Sequence, residues 1–531
     1  MGDSMNVYVP AMAFQKAIGL GRWLLFLYLM SKVEYGLWTL GSMIFTMASP
    51  ILTLGSNMGL VRYVSFYEEK GRLEAFYRRI RWAILAICLA LTVAMATQGN
   101  LITGLVIVPR GGERDVSGEM QRLICWAAIA NALVLALYLN LLGFLNGMRA
   151  YRAVSALELV FAVLFTVVGC VALRLRPTGL AVLLAHFFSL AALLGVGLLL
   201  LGALFRRHQG ASSDDTARGG RLLLEPPSKS DEIAVAIPLE STAAAPAREG
   251  LGAILPKILW FGLVSLVGSL LWQGAGYISL FLTNRQFGPA AGGLFGAFLL
   301  LSQTALFVGN AAWAVVFSHV TRRWESGQQA VAIFVLETAY KAICLVIMTL
   351  TVAVYITSPL WVRILPPSYR EGIVLLGGQL MFFQVISNLA LMTMIAKLQE
   401  RPSMIALAAL AGGAANAVLA IWWMAGHSAA EAAAWAAWAA GVGLYVGGGV
   451  VTLAYFLIAR VKLSGGTWIL LACPALLLLG YWAAAVWAVV LAVALLTPLV
   501  FEPRQERLLA SYVRNLFAMA ARILGRTAKQ G

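Results

Sequence analysis

Two basic side chains stand inside the first hydrophobic segment of the chain. Lys16 and Arg22 lie in a predicted span at 8–30, with Arg22 about eight residues, or ~12 Å, from the nearer end. A cation in the hydrocarbon costs about 2.5–3.5 kcal/mol, and snorkelling over that distance is unfavourable. Gln15, Gly19 and Arg22 are spaced i, i+4 and i+7, so they share one helix face. We predict that this face lines a water-filled cavity that receives an anion; a structural ion pair is the alternative.

Three other ionisable side chains within predicted spans are candidates for a functional role. Glu337 and Lys341 are spaced i, i+4, which favours a mutually neutralising pair. The alternative is a coupling or substrate site in which protonation of Glu337 releases Lys341. Glu158 stands early in the fifth span, where it is either a residue of the cytoplasmic interface or a proton acceptor. These three are the candidate ion-coupling residues.

Uncharged polar side chains inside the spans have less specific interpretations. His186, in the sixth span, is typical of a hydrogen-bonded packing residue. Amide side chains either line a cavity or join neighbouring helices. Both alternatives are open for six of them: Gln303, Asn310, Gln379, Gln384, Asn388 and Asn416.

The composition is that of a membrane protein. Of 531 residues, 61% are hydrophobic and 12% are charged, against about 25% charged in soluble domains. The net charge of +16 could suggest nucleic acid, but most of the 39 Lys and Arg fall on the predicted cytoplasmic side, as the positive-inside rule requires. We therefore predict no nucleic-acid partner. The five cysteines are irregularly spaced in apolar segments, so neither a cofactor nor a metal site is predicted.

Hydropathy predicts an all-α polytopic membrane protein with about fourteen transmembrane helices. The predicted spans are 8–30, 35–61, 82–98, 123–145, 154–173, 179–205, 254–283, 290–317, 331–356, 373–396, 403–425, 430–458, 468–481 and 484–501. Residues 206–253 have no hydrophobic periodicity, which is typical of a disordered linker. The predicted units are an N-terminal six-helix lobe (1–205), the cytoplasmic linker (206–253), a C-terminal six-helix lobe (254–460), two extra helices (461–501) and a basic cytoplasmic tail (502–531).

The two lobes repeat each other weakly at an offset of 257 residues. Gly36 corresponds to Gly293, and Arg62, at the end of the second span, corresponds to His319. Each lobe has an even number of spans and begins on the same side, so the repeats are parallel. Such repeats are typical of transporters whose site lies between the halves.

The lobes differ in charge at corresponding positions. At the offset of 257 residues, Lys16 and Arg22 of the first span correspond to Gln273 and Ser279 of the seventh, which are uncharged. An anion is therefore expected to bind off-centre, nearer the first lobe. The candidate substrate-binding residues are Lys16, Arg22, Arg62 and Gln273.

Several segments, in their order along the chain, resemble the polysaccharide and O-antigen flippases of the multidrug/oligosaccharidyl-lipid/polysaccharide (MOP) exporter superfamily. The resemblance spans roughly residues 10–460. Its segments are Tyr28-Leu29-Met30, Glu34-Tyr35-Gly36-Leu37-Trp38, Leu54-Gly55-Ser56-Asn57-Met58-Gly59, Arg62, the outer loop from Leu365 to Gly372, and Asn416 with the small-residue run 426–434. Many members carry an acidic residue near the position of Ser56 and Asn57, and this chain has none there.

The resemblance implies a flippase of the bacterial inner membrane with both termini in the cytoplasm. Its substrate would be an oligosaccharide on undecaprenyl pyrophosphate, moved from the cytoplasmic to the periplasmic leaflet by alternating access. The related lipid II flippase has cavity arginines on its first helix, to which Arg22 is similar in position. The implied partners are this lipid-linked oligosaccharide, the membrane lipids, and the polysaccharide polymerase and chain-length machinery.

Two alternatives compete with a flippase. A drug/cation antiporter of the same superfamily would favour acidic cavity residues, whereas the first lobe carries cations. A membrane polysaccharide polymerase or glycosyltransferase would need a large outer loop with catalytic acids. The longest loop here is the low-complexity linker, which has no paired carboxylates and no nucleotide-phosphate motif. We therefore expect a transporter, not an enzyme.

Overall fold

The structure, a computed structural model, is helical throughout the part of the chain that it describes. The described residues are 2–57, 60, 63–64, 67, 72–109, 116–148, 150–217, 251–304, 313, 316, 320–321, 323–324, 327–399, 401, 403–510 and 514. The middle of the predicted linker, 218–250, lies outside them, as do Arg62 and Asn310.

Fourteen apolar helices can be followed along the described residues. They are α1 (Gly2–Leu29), α2 (Lys32–Thr53), α3 (Leu73–Thr97), α4 (Gly118–Gly147), α5 (Tyr151–Leu175), α6 (Gly179–Ala217), α7 (Leu251–Phe287), α8 (Pro289–Gln303), α9 (Gln329–Ile356), α10 (Leu376–Leu398), α11 (Ser403–Met424), α12 (Ala429–Ile458), α13 (Gly465–Leu479) and α14 (Trp482–Leu496). Ten of the described helices are long and apolar enough to cross a membrane. The all-α polytopic fold class is therefore confirmed.

The third span was predicted to begin too late. It was placed at 82–98, but Arg78, Arg79 and Arg81 lie inside α3, which begins at Leu73. Hydropathy marks only the apolar part of a helix, and a polar first turn can continue beyond the hydrocarbon. The three arginines are therefore held at fixed positions on a helix.

The ends of α2 show how local sequence sets the helix boundaries. Ser31 caps the start, where its hydroxyl accepts the Glu34 N–H at 3.3 Å. The end is set by Leu54 and Gly55, which both have positive φ, at 47° and 68°. This left-handed turn satisfies the last carbonyls of the helix. The second span therefore breaks at Thr53 instead of continuing as one helix to 61.

The helices pack in two groups. Helix α1 packs on α5, and α4 packs on α2 and α6; in the second half of the chain, α11 packs on α7 and α12, and α10 packs on α12. Helices α2 and α8 pack closely against each other and join the two groups. We use "outer end" for the end of the bundle that holds the α1–α2 link, following the predicted orientation.

Two pairs of repeat-related residues meet where α2 crosses α8. A Cβ added to Gly36 would overlap the carbonyl of Pro289, and a Cβ added to Gly293 would overlap the carbonyl of Lys32. Gly36 and Gly293 are 257 residues apart, and so are Lys32 and Pro289. The contact is thus reciprocal, as a two-fold axis between parallel repeats requires. Only glycine allows the two backbones to come this close.

Candidate functional site

A small cavity lies between α1, α5 and the end of α8. Its volume is about 160 Å³, which is room for roughly five water molecules. The polar residues that line it are Gln15, Lys16, Arg22, Gln303 and Thr304. Gly19 and Trp23 of α1 lie beside them. The predicted shared face of α1 therefore lines a cavity, and Gln303 is placed there too.

Arg22 lines this cavity, and its guanidinium lies over the ring of Phe165. Its guanidinium carbon lies 4.5 Å from the centroid of that ring, which belongs to α5. Nη1 is buried and has no hydrogen-bond partner among the described residues. A guanidinium over an aromatic face is stabilised by the ring quadrupole, by about 2 kcal/mol when desolvated. Among the described residues the cation is thus held without a carboxylate, and a buried N–H remains able to donate to an anion.

Lys16 lies about one and two-thirds turns before Arg22 on α1 and faces an acidic side chain. Glu158 of α5 interacts electrostatically with Lys16, and the half-buried carboxylate also lies near Tyr138 of α4. Glu158 is therefore placed beside Lys16 of the candidate substrate-binding face. The Tyr138 hydroxyl is buried without a hydrogen-bond partner in the described part of the chain.

His186 has the packing environment that its position predicted. Its Nδ1 lies 2.7 Å from the Asn131 Oδ1, and Asn131 also donates to the Leu183 carbonyl at 3.0 Å. The imidazole stacks on Phe45 at 4.8 Å and meets Phe165 edge to face at 5.0 Å. The ring that supports Arg22 is therefore itself fixed by the core of the first helix group.

Contacts between the helix groups close the outer end above the cavity. Lys32 pairs with Glu371, and the Tyr369 hydroxyl donates to the Met30 carbonyl at 3.2 Å. Trp23 donates its indole N–H to the Ala297 carbonyl at 2.8 Å. These contacts join the two groups at the outer end, so passage of a large substrate through that end would require the groups to separate there.

Glu337 and Lys341 lie elsewhere, where α9 meets α13. Their charged atoms are 3.6 Å apart, and Lys341 donates to Ser464 at 2.6 Å and to Gln505 at 2.8 Å. Glu337 accepts the Ser464 N–H at 2.8 Å and a hydrogen bond from Thr467. The pair thus caps the start of α13 and is not brought together with Lys16 and Arg22.

Gln273 and the repeat counterpart of Arg22 lie away from the cavity. Gln273 lies on α7 and is not among the lining residues; the next residue, Gly274, faces Met47 of α2. Ser279, the repeat counterpart of Arg22, donates to Asn416 at 2.7 Å, and Asn416 donates to the Ala275 carbonyl at 3.1 Å. At the position that corresponds to Arg22, the second helix group therefore has a neutral, hydrogen-bonded pair, Ser279 and Asn416. The first helix group has a cation over an aromatic ring there.

Sequence reasoning missed Phe165, which sets the position of Arg22. Phe161 and Phe165 are spaced i, i+4, so an aromatic stripe on one face of the fifth span was visible. Such a stripe is ordinary in an apolar helix and does not indicate which helix faces it.

Comparison with known proteins identifies the fold. No protein-family model matches the chain, and no curated protein sequence matches it. Among solved structures, the fold is similar to an inward-facing MATE-family multidrug resistance transporter of the MOP superfamily, with a TM-score of 0.59 and 13% identity over 86% of this chain and 100% of that one. It is similar to the lipid II flippase MurJ in an inward closed conformation, with a TM-score of 0.57 and 11% identity over 92% and 99%. A MOP-superfamily transporter from Pyrococcus furiosus has a TM-score of 0.53 and 15% identity over 86% and 94%.

The chain therefore has the fold of the MOP-superfamily membrane transporters. This agrees with the superfamily that the sequence resembles. A multidrug resistance transporter and a lipid flippase share this fold, so the fold does not select the substrate.

Proposed function

We propose that this protein is a flippase that moves an undecaprenyl-pyrophosphate-linked oligosaccharide from the cytoplasmic to the periplasmic leaflet of a bacterial inner membrane. It would act by alternating access, for cell-surface polysaccharide synthesis, and supply a polysaccharide polymerase and its chain-length machinery. The MOP-type fold, which it shares with the lipid II flippase MurJ, supports a transport role.

The observation that carries the proposal is the placement of Arg22. Its guanidinium lines the cavity beside Lys16 and keeps a buried N–H without a protein acceptor in the described part of the chain. Charge-assisted hydrogen bonds to a pyrophosphate are strong in a site of low dielectric constant. Glu158 neutralises part of the positive charge of Lys16 and Arg22. The α1 face therefore keeps a net positive charge, although a carboxylate lies close to one of its two cations. A drug/cation antiporter would instead need a net acidic cavity.

The cavity is too small for a sugar headgroup in the state described. We therefore propose that the substrate enters after the helix groups separate at the inner end, with the pyrophosphate at the α1 face, the glycan in the widened space and the polyprenyl chain in lipid. Differential binding to the open and closed states then drives the exchange.

The proposal can be tested in proteoliposomes that contain the purified full chain and undecaprenyl pyrophosphate with a fluorescent disaccharide. A membrane-impermeant quencher reports how fast label leaves the protected leaflet. We expect transfer with wild type, at least a tenfold slower rate with Arg22→Ala, and an unchanged rate with Arg174→Ala at the exposed outer end of α5. Transfer that is unaffected by Arg22→Ala in a folded protein would contradict the proposal. Flux of a cationic dye without lipid transfer would favour the antiporter, and formation or cleavage of a glycosidic bond would favour an enzyme.

A further inference from the structure

A second and larger cavity lies away from the candidate site, between α3, α4 and α6. Its volume is about 520 Å³, within the ~300–1,000 Å³ typical of small-molecule sites. It occupies the end of the bundle opposite the outer end and shares no residue with the cavity at α1. We call it the α3–α6 groove.

The groove is polar at one end and apolar at the other. Glu74, Arg78 and Arg81 of α3 line the end nearest the start of that helix. Leu137 of α4 and Leu194 of α6 line the deep end. From Glu74 to Leu85 the helix rises by about 16 Å. The polarity and the length of the groove therefore match a charged headgroup followed by a stretch of hydrocarbon.

The margins of the groove face lipid. Trp82 is 61% exposed and Leu198 is 47% exposed, although both belong to helices long and apolar enough to span a membrane. Tryptophan is enriched where hydrocarbon meets headgroups, so Trp82 indicates the depth of that interface. The arginines before it then lie at headgroup level, and the leucine-lined end lies among acyl chains.

The charges at the polar end favour an anion. Arg78 pairs with Glu74 at 2.6 Å, so the charges of these two side chains cancel. The exposed Arg81 then gives the three residues a net positive charge. The Arg81 guanidinium lies 5.8 Å from the Tyr77 ring centroid and 5.2 Å from that of Trp82. These rings position the guanidinium, and the Arg81 side chain is exposed. A guanidinium edge binds phosphate through paired N–H donors.

We propose that the α3–α6 groove binds one anionic phospholipid of the inner leaflet. The phosphate is held by Arg81 and Arg78, and one acyl chain lies between α3 and α6 against Leu137 and Leu194. The anionic character of that leaflet supplies the ligand at the depth of the arginines.

Glycines on α6 provide a matched pair of variants. A Cβ added to Gly202, which lines the groove, meets nothing within 4 Å, and the same is true of Gly195, which does not line it. Gly202→Leu should therefore fill the groove without a backbone clash. Gly195→Leu adds the same side chain to the same helix outside the groove.

Native mass spectrometry of the detergent-solubilised full chain, titrated with phosphatidylglycerol or phosphatidylcholine, tests the proposal. We expect wild type to retain one phosphatidylglycerol at least tenfold more tightly than phosphatidylcholine. R78Q/R81Q should remove this preference, Gly202→Leu should remove the retained lipid, and Gly195→Leu should change neither.

Equal retention of both lipids by wild type would overturn the proposal. So would Gly202→Leu and Gly195→Leu behaving alike in protein that remains monodisperse. Since Arg78 and Arg81 are both exposed, R78Q/R81Q is expected to fold even if Gly202→Leu does not, and an unchanged lipid preference in that variant would overturn the proposal by itself.

Discussion

The guanidinium of Arg22 on α1 lies 4.5 Å from the ring centroid of Phe165 on α5. The ring occupies one face of the cation, and the Nη1 edge remains without a protein acceptor in the described part of the chain. A carboxylate in place of Phe165 would neutralise the arginine and compete with an anionic substrate. An aromatic ring positions the same charge and leaves it available.

Replacing Phe165 with leucine should impair the site without removing its charge. We expect Phe165→Leu to slow lipid transfer about five- to thirtyfold, because Arg22 loses roughly 1–2 kcal/mol of positioning. Val163→Leu, on the exposed side of the same helix, is the control. The measurement is the initial rate in proteoliposomes, with the melting temperature recorded in parallel. Equal rates for the two variants would show that the ring does not position the arginine.

Exchanging the charges of Lys16 and Glu158 shows whether Lys16 only pairs with Glu158 or also contacts the anionic substrate. If Lys16 serves only as a partner for Glu158, the swapped variant K16E/E158K should recover both melting temperature and transport. If it contacts the anion, the swap should recover stability but not transport, because a carboxylate now lines the cavity. We expect the second result, with transport at least tenfold below wild type. The single variants K16A and E158A provide the reference for each measurement.

The Gly36–Gly293 crossing should control the closure of the outer end. Gly36→Ala forces α2 away from the Pro289 carbonyl, and overpacking of this kind costs about 1–3 kcal/mol. The closed state should then lose about fivefold or more in population relative to an open one. A cysteine at Thr39, buried beside Gly296, should react faster with an impermeant maleimide in the Gly36→Ala background.

Gly21→Ala is the matched control for that experiment, because a Cβ at Gly21 meets nothing within 4 Å. Its labelling rate should equal that of the unaltered background. Identical labelling in Gly36→Ala and Gly21→Ala would mean that the crossing does not limit opening.

The Glu337–Lys341 pair should act mainly on stability. Lys341→Met leaves the buried Glu337 carboxylate without its cation, which costs about 3–5 kcal/mol and should lower the melting temperature. It should also release the segment around Gln505, since Gln505 accepts a hydrogen bond from Lys341, so trypsin should cleave the tail faster. The double variant E337Q/K341M should restore part of the stability. Normal stability with abolished transport in Glu337→Gln would instead support the coupling role.

The cap of α6 gives a simpler stability prediction. Glu34 of α2 accepts the Gly179 N–H at 2.6 Å, which satisfies an otherwise unpaired donor at a helix start. Glu34→Ala should destabilise the protein by about 1 kcal/mol and lower the melting temperature by a few degrees. Glu119→Ala, exposed near the start of α4, should have a smaller effect, and thermal unfolding in detergent provides the measurement.

Hydropathy predicted most helices because the length of an apolar segment is a local property. It failed at α3, where Arg78 and Arg81 belong to the helix but not to its apolar part. The i, i+4 spacing of Glu337 and Lys341 predicted their pairing. It could not predict Ser464 or Gln505, which lie more than a hundred residues away and approach only through the packing of α13 and the tail.

By itself the sequence determined the membrane class, the helical fold, the repeat that pairs Gly36 with Gly293, and the face of α1 that carries Lys16 and Arg22. These depend on composition and on spacing within single helices. Only the tertiary structure decided that Phe165 and Glu158 face those cations and that Gln273 does not line their cavity. A helix face can be derived from periodicity, but its neighbour depends on how all the helices share the available packing surface.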